Sequence, residues 1–322
     1  MDTHRMVQEF IELVSTDAAS KNERLVADKL IKKLAEIGLD IHEDDAGKTI
    51  GGNTGNIIAT MQGTRPGHLM LCAHMDRVEP GMGIRPQITE DGHIASDGKT
   101  ILAADNIAGV VIILEALRRV KESGQAHPTV EVIFTVCEEI GLAGSRYLDY
   151  SRIQSKMGYV FDTSGNVGRV VSRAPFKGVV TVEVFGKAAH AGNFPERGVN
   201  AIMAAAHILD GVKEGRLSDT ATSNFGCING GSNIGTVCDY VVIRGELRNH
   251  SLQGLKDYYA YIEEYCNKRI QDTNATCELS LTMDYDGFVV QDYDPCMKLL
   301  IKVMEKMRIP PFVVAGMGGM DC

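Results

Sequence analysis

The stretch Leu69-Met-Leu-Cys-Ala-His-Met-Asp76 is an apolar run of strand length that ends in a histidine, with an aspartate two residues on. Residues i and i+2 of a strand share a face, so the Asp76 carboxylate can reach the His74 side chain while both stand clear of a sheet. A carboxylate on the far nitrogen of an imidazole fixes its tautomer and strengthens it as a metal ligand. Taken alone, the pair reads more simply as a strand-end histidine capped by an acid. What shifts the reading is recurrence. Ile101-Leu-Ala-Ala-Asp-Asn-Ile-Ala-Gly109 runs into a helical pattern and sets Asp105 and Asn106 at or just before its start. Both types are favoured helix caps, and one of the two suffices for that task. Thr129-Val-Glu-Val-Ile-Phe-Thr-Val-Cys137 reads as a strand that ends in Glu138-Glu139. Two adjacent carboxylates after a buried strand are costly unless positive charge sits near them. A third strand, Met157-Gly-Tyr-Val-Phe161, ends in Asp162-Thr-Ser-Gly165, by itself an Asx-turn. One histidine and several carboxylates suit zinc or a similar divalent ion.

The elements that must position these groups follow from periodicity. Helical spacing covers residues 4–14 and 22–37, the second with Leu25, Leu30, Ile31 and Leu34 on one face. Short strands are expected near 39–44 and 56–62, and a Gly-, Pro- and Asp-rich loop from Glu79 to Lys99. Strands alternating with helices indicate an α/β fold with a mostly parallel sheet and function at the carboxyl ends of its strands. His74, Asp105, Glu138, Glu139 and Asp162 then gather along one edge. After Pro175 the pattern changes. Gly178 to Phe185 alternates, with Val180, Val182 and Val184 on one face. A helix from about Val199 to Val212, strands near 222–229 and 238–248, a helix at 252–269 and a strand at 276–284 complete a ferredoxin-like α+β unit. Residues 177–290 are therefore expected as a domain inserted into a first one made of 1–176 and 291–322. The chain returns to that first domain through a helix at 294–307 and a strand from Pro311 to Ala315.

Composition bounds the partners. A chain of 322 residues, 44% apolar, is ample for two buried cores. A formal net charge of −9 without a dense Lys/Arg cluster argues against nucleic acid and against an anionic membrane surface. None of the eight cysteines forms a C-x-x-C pair, and Cys72 and Cys137 sit in or at the end of apolar runs. Met1-Asp-Thr-His-Arg has no signal-peptide character, so a reducing, cytoplasmic compartment is expected.

In order and type, these residues resemble the two-zinc metallopeptidase family that includes peptidase T, carboxypeptidase G and aminoacylase. The resemblance covers essentially the whole chain. It rests on His74-x-Asp76, Ala104-Asp-Asn106, Glu138-Glu139 and Asp162. Phe185-Gly-Lys-Ala-Ala-His-Ala-Gly192 and Pro195-Glu-Arg-Gly-Val-Asn-Ala201 look most like the peptidase T branch. It implies a mechanism and a site. His74 and Asp162 would bind one zinc, Asp105 would bridge, and Glu139 would bind a second ion, with cobalt or manganese as substitutes. Asp76 would orient His74. Glu138 would be the general base, moving a proton from the attacking water to the leaving amine. The resemblance further implies a homodimer through the inserted domain. His190 would reach the neighbouring subunit's oxyanion, and Arg248 would bind a substrate carboxylate. Read from residues alone, His190 is a loop histidine and Arg248 a strand-end charge.

Three departures stand out, the first being Gly235 where the family usually has an Asn after its Gly-Gly stretch, with Asn233 two residues earlier and not assigned to substrate binding. Asn106 stands where the family commonly has a second Asp. The nine histidines stop at His250, and none follows Gly318-Gly-Met-Asp321, where the family places a last zinc-binding His farther on. The chain is thus expected to look truncated, to bind one zinc well and the second poorly, and to be weakly active or inactive as it stands. The principal expectation is a zinc aminopeptidase of di- and tripeptides. The alternatives are an amidohydrolase or deacylase on N-acyl amino acids, and an inactive, dimerising fragment.

Overall fold

The computed structural model describes residues 3–321. It divides into two compact units. The first takes the chain up to Val170, then Gln291–Phe312 and the last residues from Met320. The second takes Val171–Val290 with Val313–Gly319. The first crossing thus falls at Val170 rather than near residue 176, because the strand that starts at Arg169 pairs with partners from the second unit's own segment.

The first unit begins with helices α1 (Thr3–Val14) and α2 (Arg24–Ile37), then strand β1 (Asp40–Glu43), the short helix α3 (Ala46–Ile50) and strands β2 (Ile57–Met61) and β3 (Arg65–His74). Gly38 ends α2 at φ 95, and its N–H caps the last carbonyls. A two-stranded ribbon, β4 (Gln87–Ile88) with β5 (Ile94–Ala95), lies in the stretch read as loop. Helix α4 (Ala104–Ser123), strand β6 (Pro128–Thr135), the short helix α5 (Ala143–Arg146) and strand β7 (Gly158–Val160) follow. The sheet runs β1-β2-β6-β3-β7. Its β6, β3 and β7 are parallel, whereas β1 and β2 are antiparallel to their neighbours, so the sheet is mixed rather than mostly parallel. The parallel half carries the strand ends that matter. Leu13, Val14, Leu30, Leu34, Ile57, Val110, Leu114, Val132 and Phe134 share one core, which packs α1, α2 and α4 on the sheet. Nearly all of β6 is buried, as a central strand requires.

The second unit holds strands β8 (Arg169–Ala174) and β9 (Phe176–Phe185), helix α6 (Ala201–Leu209), strands β10 (Gly215–Ser218), β11 (Ala221–Gly230) and β12 (Tyr240–Asn249), helix α7 (Leu252–Ile270) and strand β13 (Thr276–Tyr285). Strand β14 (Phe288–Val289) follows. After α8 (Pro295–Met307) in the first unit comes β15 (Phe312–Ala315), and β14-β8-β15 form a small sheet. The main sheet, β10-β11-β12-β9-β13, is antiparallel throughout. Val180, Val182 and Val184 all face the core with Ala204, Ile208, Leu255 and Ile262, so one face of β9 is covered by α6 and α7. Asn200 caps α6 and Ser251 caps α7 through side-chain oxygens. This is the expected β-α-β-β-α-β unit with β10 added. Among the described residues no helix is long and apolar enough to cross a membrane.

Candidate active site

The parallel strands β6, β3 and β7 end together. His74, the last residue of β3, pairs in register with Thr135, the last of β6, and Cys72 pairs with Val160 of β7. The chain beyond each strand stays tied to its neighbour: Met75 N–H donates to Thr135 O at 2.9 Å, and Phe161 N–H to Cys72 O at 2.9 Å. His74, Glu138-Glu139 and Asp162 are thereby delivered to one sheet edge. Asp105 arrives from the start of α4, where Asp105 and Asn106 are non-helical and joined by a cis peptide. No side chain caps α4. The cap reading of Asp105 therefore gives way to a different contact: its Oδ1 lies 3.0 Å from His74 Nε2. Gly109 lets this start lie close to the sheet, since a Cβ there would sit 2.3 Å from Asn106 Oδ1 and 2.5 Å from Phe161 O.

His74 is 2% exposed and carries Asp105 at 3.0 Å and Asp162 at 3.8 Å on Nε2. The ligand atoms of His74, Asp105 and Asp162 lie within 4.8 Å of one another, and so do those of His74, Glu138 and Glu139. Asp105 faces outward, its side chain 71% exposed. It influences both Asp162 and Glu139 electrostatically, as a group between the two clusters would.

The electrostatics are those of a crowded acid cluster around one imidazole. Burial disfavours the His74 imidazolium, but the bonds to Asp105 and Asp76 outweigh it and push its pKa up to about 11. Burial pushes Glu138 up to about 8, opposed by His74 and reinforced by Asp162, Asp321 and Glu139. Burial likewise pushes Asp162 up to about 7 and raises Glu139. Only Asp105, bonded to His74, is lowered. Such a set is short of positive charge, and its residue types are ones that could hold a divalent cation.

Asp76 differs in detail from expectation. His74 Nδ1 lies 3.0 Å from the Asp76 backbone oxygen and 3.4 Å from its carboxylate, so the carbonyl is the nearer acceptor. The buried carboxylate is engaged elsewhere as well. It accepts Ser20 Oγ–H at 2.5 Å, Glu138 N–H at 3.0 Å and Glu139 N–H at 3.3 Å. Asp76 thus fixes the turn that bears the two glutamates. Ser20 was not anticipated. Nor was Asp321, a buried carboxylate that accepts Thr135 Oγ1–H at 2.5 Å and whose pKa burial raises. The signal for Asp321 was its place in Gly318-Gly-Met-Asp321.

The remaining two candidates lie in the second unit. His190 is exposed, and its Nδ1 accepts N–H from Gly192 at 3.2 Å and Asn193 at 3.1 Å. Its proton is therefore on Nε2, free to donate outward. Arg248 is gripped on both sides. Glu246 takes Nε–H at 2.8 Å and Nη2–H at 3.1 Å, while Nη1 donates to Met317 O at 2.8 Å and Tyr285 OH at 3.1 Å. The guanidinium is pre-set but already paired, unlike the solvent-facing charge read from sequence.

Residues 177–274 match a family model described as a peptidase dimerisation domain, and residues 56–173 match peptidase family M28. The Bacillus subtilis protein YqjE is 35% identical over 318 residues, which span 98% of this chain and 85% of that one. Among solved structures, a tripeptidase from Staphylococcus aureus superposes with a TM-score of 0.93 at 31% identity, covering 100% of this chain and 86% of the other. The aminopeptidase PepT from Bacillus cereus gives 0.89 at 37% identity with the same coverage.

Proposed function

This chain belongs to the peptidase family related to peptidase T, and from that premise we propose that it is a zinc-dependent aminopeptidase of di- and tripeptides with Glu138 as general base. One observation carries the reading: the gathering of His74, Asp105, Asp162, Glu138 and Glu139 at the ends of three parallel strands. The donor set fits divalent cations. His74 and Asp162 would hold one, Glu139 a second, and Asp105 would bridge; the imidazole favours zinc, with cobalt or manganese as substitutes. An ion held there supplies Lewis-acid polarisation of the scissile carbonyl and lowers the pKa of a water.

The chain's own groups do the rest. Glu138, near neutrality in its pKa, takes a proton from the attacking water on a carboxylate oxygen. It returns that proton to the leaving amine nitrogen, so the amide yields an acid and an amine. Asp76 holds His74 and the Glu138-Glu139 turn in place. His190 would donate Nε2–H to the developing oxyanion in the other subunit of a homodimer. Arg248 would meet the carboxyl terminus of a short peptide, adding to or displacing Glu246.

The test is a panel of di- and tripeptides set against N-acetyl and N-carbamoyl amino acids. Turnover of the peptides alone is expected, and preference for the acylated amino acids would move the reading to a deacylase. In the same assay Arg248→Ala is expected to raise KM about 10–100-fold, the worth of a charge-assisted hydrogen bond. The rise should vanish for C-terminally amidated peptides. An equal rise for both would remove Arg248 from carboxylate recognition.

The homodimer is proposed through the second unit. Support comes from the dimerisation-domain match and from Ile202 and Met203, which α6 turns away from its core, with Ile228 of β11 also exposed. Replacing both Ile202 and Met203 by Glu buries charge in that interface and is expected to give a monomer by sedimentation. A double variant that still sediments as a dimer places the interface elsewhere.

A further inference from the structure

In the turn that carries Glu138 and Glu139 the carbonyls of Cys137 and Glu138 accept N–H groups of Gly141, Leu142 and Ala143, but the N–H groups on its inner side are held from outside it. Four successive N–H groups, those of Val136, Cys137, Glu138 and Glu139, are bound by side chains. Val136 donates to Asn56 Oδ1 at 3.1 Å, Cys137 to Glu23 Oε1 at 3.0 Å, and the two glutamates to Asp76. Cys137 has φ 54, in the left-handed region that a residue with a Cβ rarely adopts. This residue is the pivot, because its backbone turns the chain out of β6 and aims the next two side chains. Glu23 holds its N–H and its thiol, while its carbonyl accepts Ala143 N–H at 3.0 Å. The same Oε1 accepts Cys137 Sγ–H at 3.3 Å and Lys21 N–H at 3.0 Å. Glu23 is completely buried, and its Oε2 has no partner among the described residues. It also occupies the position before α2 but makes no side-chain cap there. Among the described residues no cation pairs with this carboxylate, and it does not cap its own helix. Two of its three hydrogen bonds go to Cys137 in the turn, and the third is local, to Lys21.

We propose that Glu23 is a positioning residue for the peptidase reaction, its Oε1 pinning Cys137 in the left-handed conformation that aims Glu138 and Glu139 into the metal-ligand cluster. This rests on the peptidase reading above but is carried by separate geometry. The acceptor, not the charge, does the work. Burial, with the Asp76 charge beside it, raises the Glu23 pKa, and Glu23→Gln removes the charge while keeping an oxygen at the same place. Glu23→Asp keeps the acid but withdraws the oxygen by one methylene, and Glu23→Ala removes it.

The test measures kcat and KM on a tripeptide, and Zn2+ affinity by competition with a chromophoric chelator, for the full chain and the three variants. Loss of a group that orients metal ligands typically costs 10–100-fold in affinity or activity. Glu23→Ala and Glu23→Asp are expected to lower kcat about 10–100-fold with KM changed less than about threefold, and to weaken Zn2+ binding about tenfold or more. Glu23→Gln is expected to stay within about threefold of the parent in both. Parental kcat and Zn2+ affinity in Glu23→Ala would overturn the proposal. So would a loss in Glu23→Gln as large as in Glu23→Ala, since that would assign the effect to charge. If the parent chain cleaves no peptide, the peptidase reading fails by itself, and Zn2+ affinity across the three variants still decides for or against Glu23.

Discussion

Replacing Glu138 by alanine is expected to lower kcat about 10²–10⁴-fold while KM and metal content stay near those of the parent. The expectation follows from how the residue is held. Its backbone N–H is bound to Asp76, and its carboxylate stands among Asp162, Glu139 and Asp321 in a partly buried setting that pushes its pKa up to about 8. A general base works best with a pKa near the operating pH, and few groups in the cluster meet that condition. Asp162, pushed up to about 7, is the other. The two are separable. Asp162 stands with His74 and Asp105 and would take metal with it when removed, whereas Glu138 should not. Glu138→Gln keeps the shape but not the basicity and should fall as far as the alanine variant. Near-parental turnover in either variant would remove Glu138 from the mechanism. A fall in bound metal parallel to the fall in kcat would instead make it a ligand, which its grouping with His74 and Glu139 makes a definite alternative.

The parts of this site that were legible in sequence share one trait: each ends a run whose period is plain. His74 closes an apolar strand, Asp162 follows one, and Glu138-Glu139 follow the most buried strand of the sheet, where adjacent carboxylates are conspicuous. The alternating valines of β9 fixed the second unit in the same way. What escaped has a local explanation that hides its role. Ser20-Lys-Asn-Glu23 before a helix has the spacing of a capping box, so both residues look accounted for where they stand. In the fold neither caps α2; Ser20 turns to Asp76 and Glu23 to Cys137. Asp321 is far from its partner Thr135 in sequence, and no period marks it. Short helices α3 and α5 were missed because four or five residues are too few for a 3.6-residue period to show. Gly144 of α5 is required by contact rather than by pattern, since a Cβ there would lie 2.0 Å from Val136 O. The antiparallel half of the sheet was likewise invisible, because β1 and β2 are short and alternation says nothing about strand direction.

The metal-free protein is expected to lose stability as pH rises from about 5 to 9, and a divalent cation is expected to reverse that trend. His74 moves from an ordinary 6.5 to about 11 on folding, so its contribution is complete below about 6.5 and is lost as pH climbs toward 11. Glu138 and Asp162, raised to about 8 and about 7, bind protons in the folded state that the unfolded chain has already released. They too oppose folding more strongly as pH rises through the interval between the unfolded and folded values. Glu139 and Asp321 are raised in the same direction. Asp105, lowered by its bond to His74, acts with the opposite sign, but only at acid pH near and below its ordinary 3.8. Every shift that matters between pH 5 and 9 therefore has one sign. A cation that takes the place of these protons binds the folded state alone. At about a thousand times its Kd it adds roughly 4 kcal/mol, a rise in Tm on the order of 10 °C for a chain of this size. Because fewer protons must be displaced at higher pH, the zinc-induced rise should grow from pH 5.5 to 8.5. Thermal melts of chelator-stripped protein at three pH values, with and without Zn2+, measure both slopes on the transition that zinc moves. A metal-free Tm that climbs with pH, or a zinc increment that shrinks with it, would mean that His74 and the carboxylates at the ends of β6 and β7 are not the groups that hold the ion.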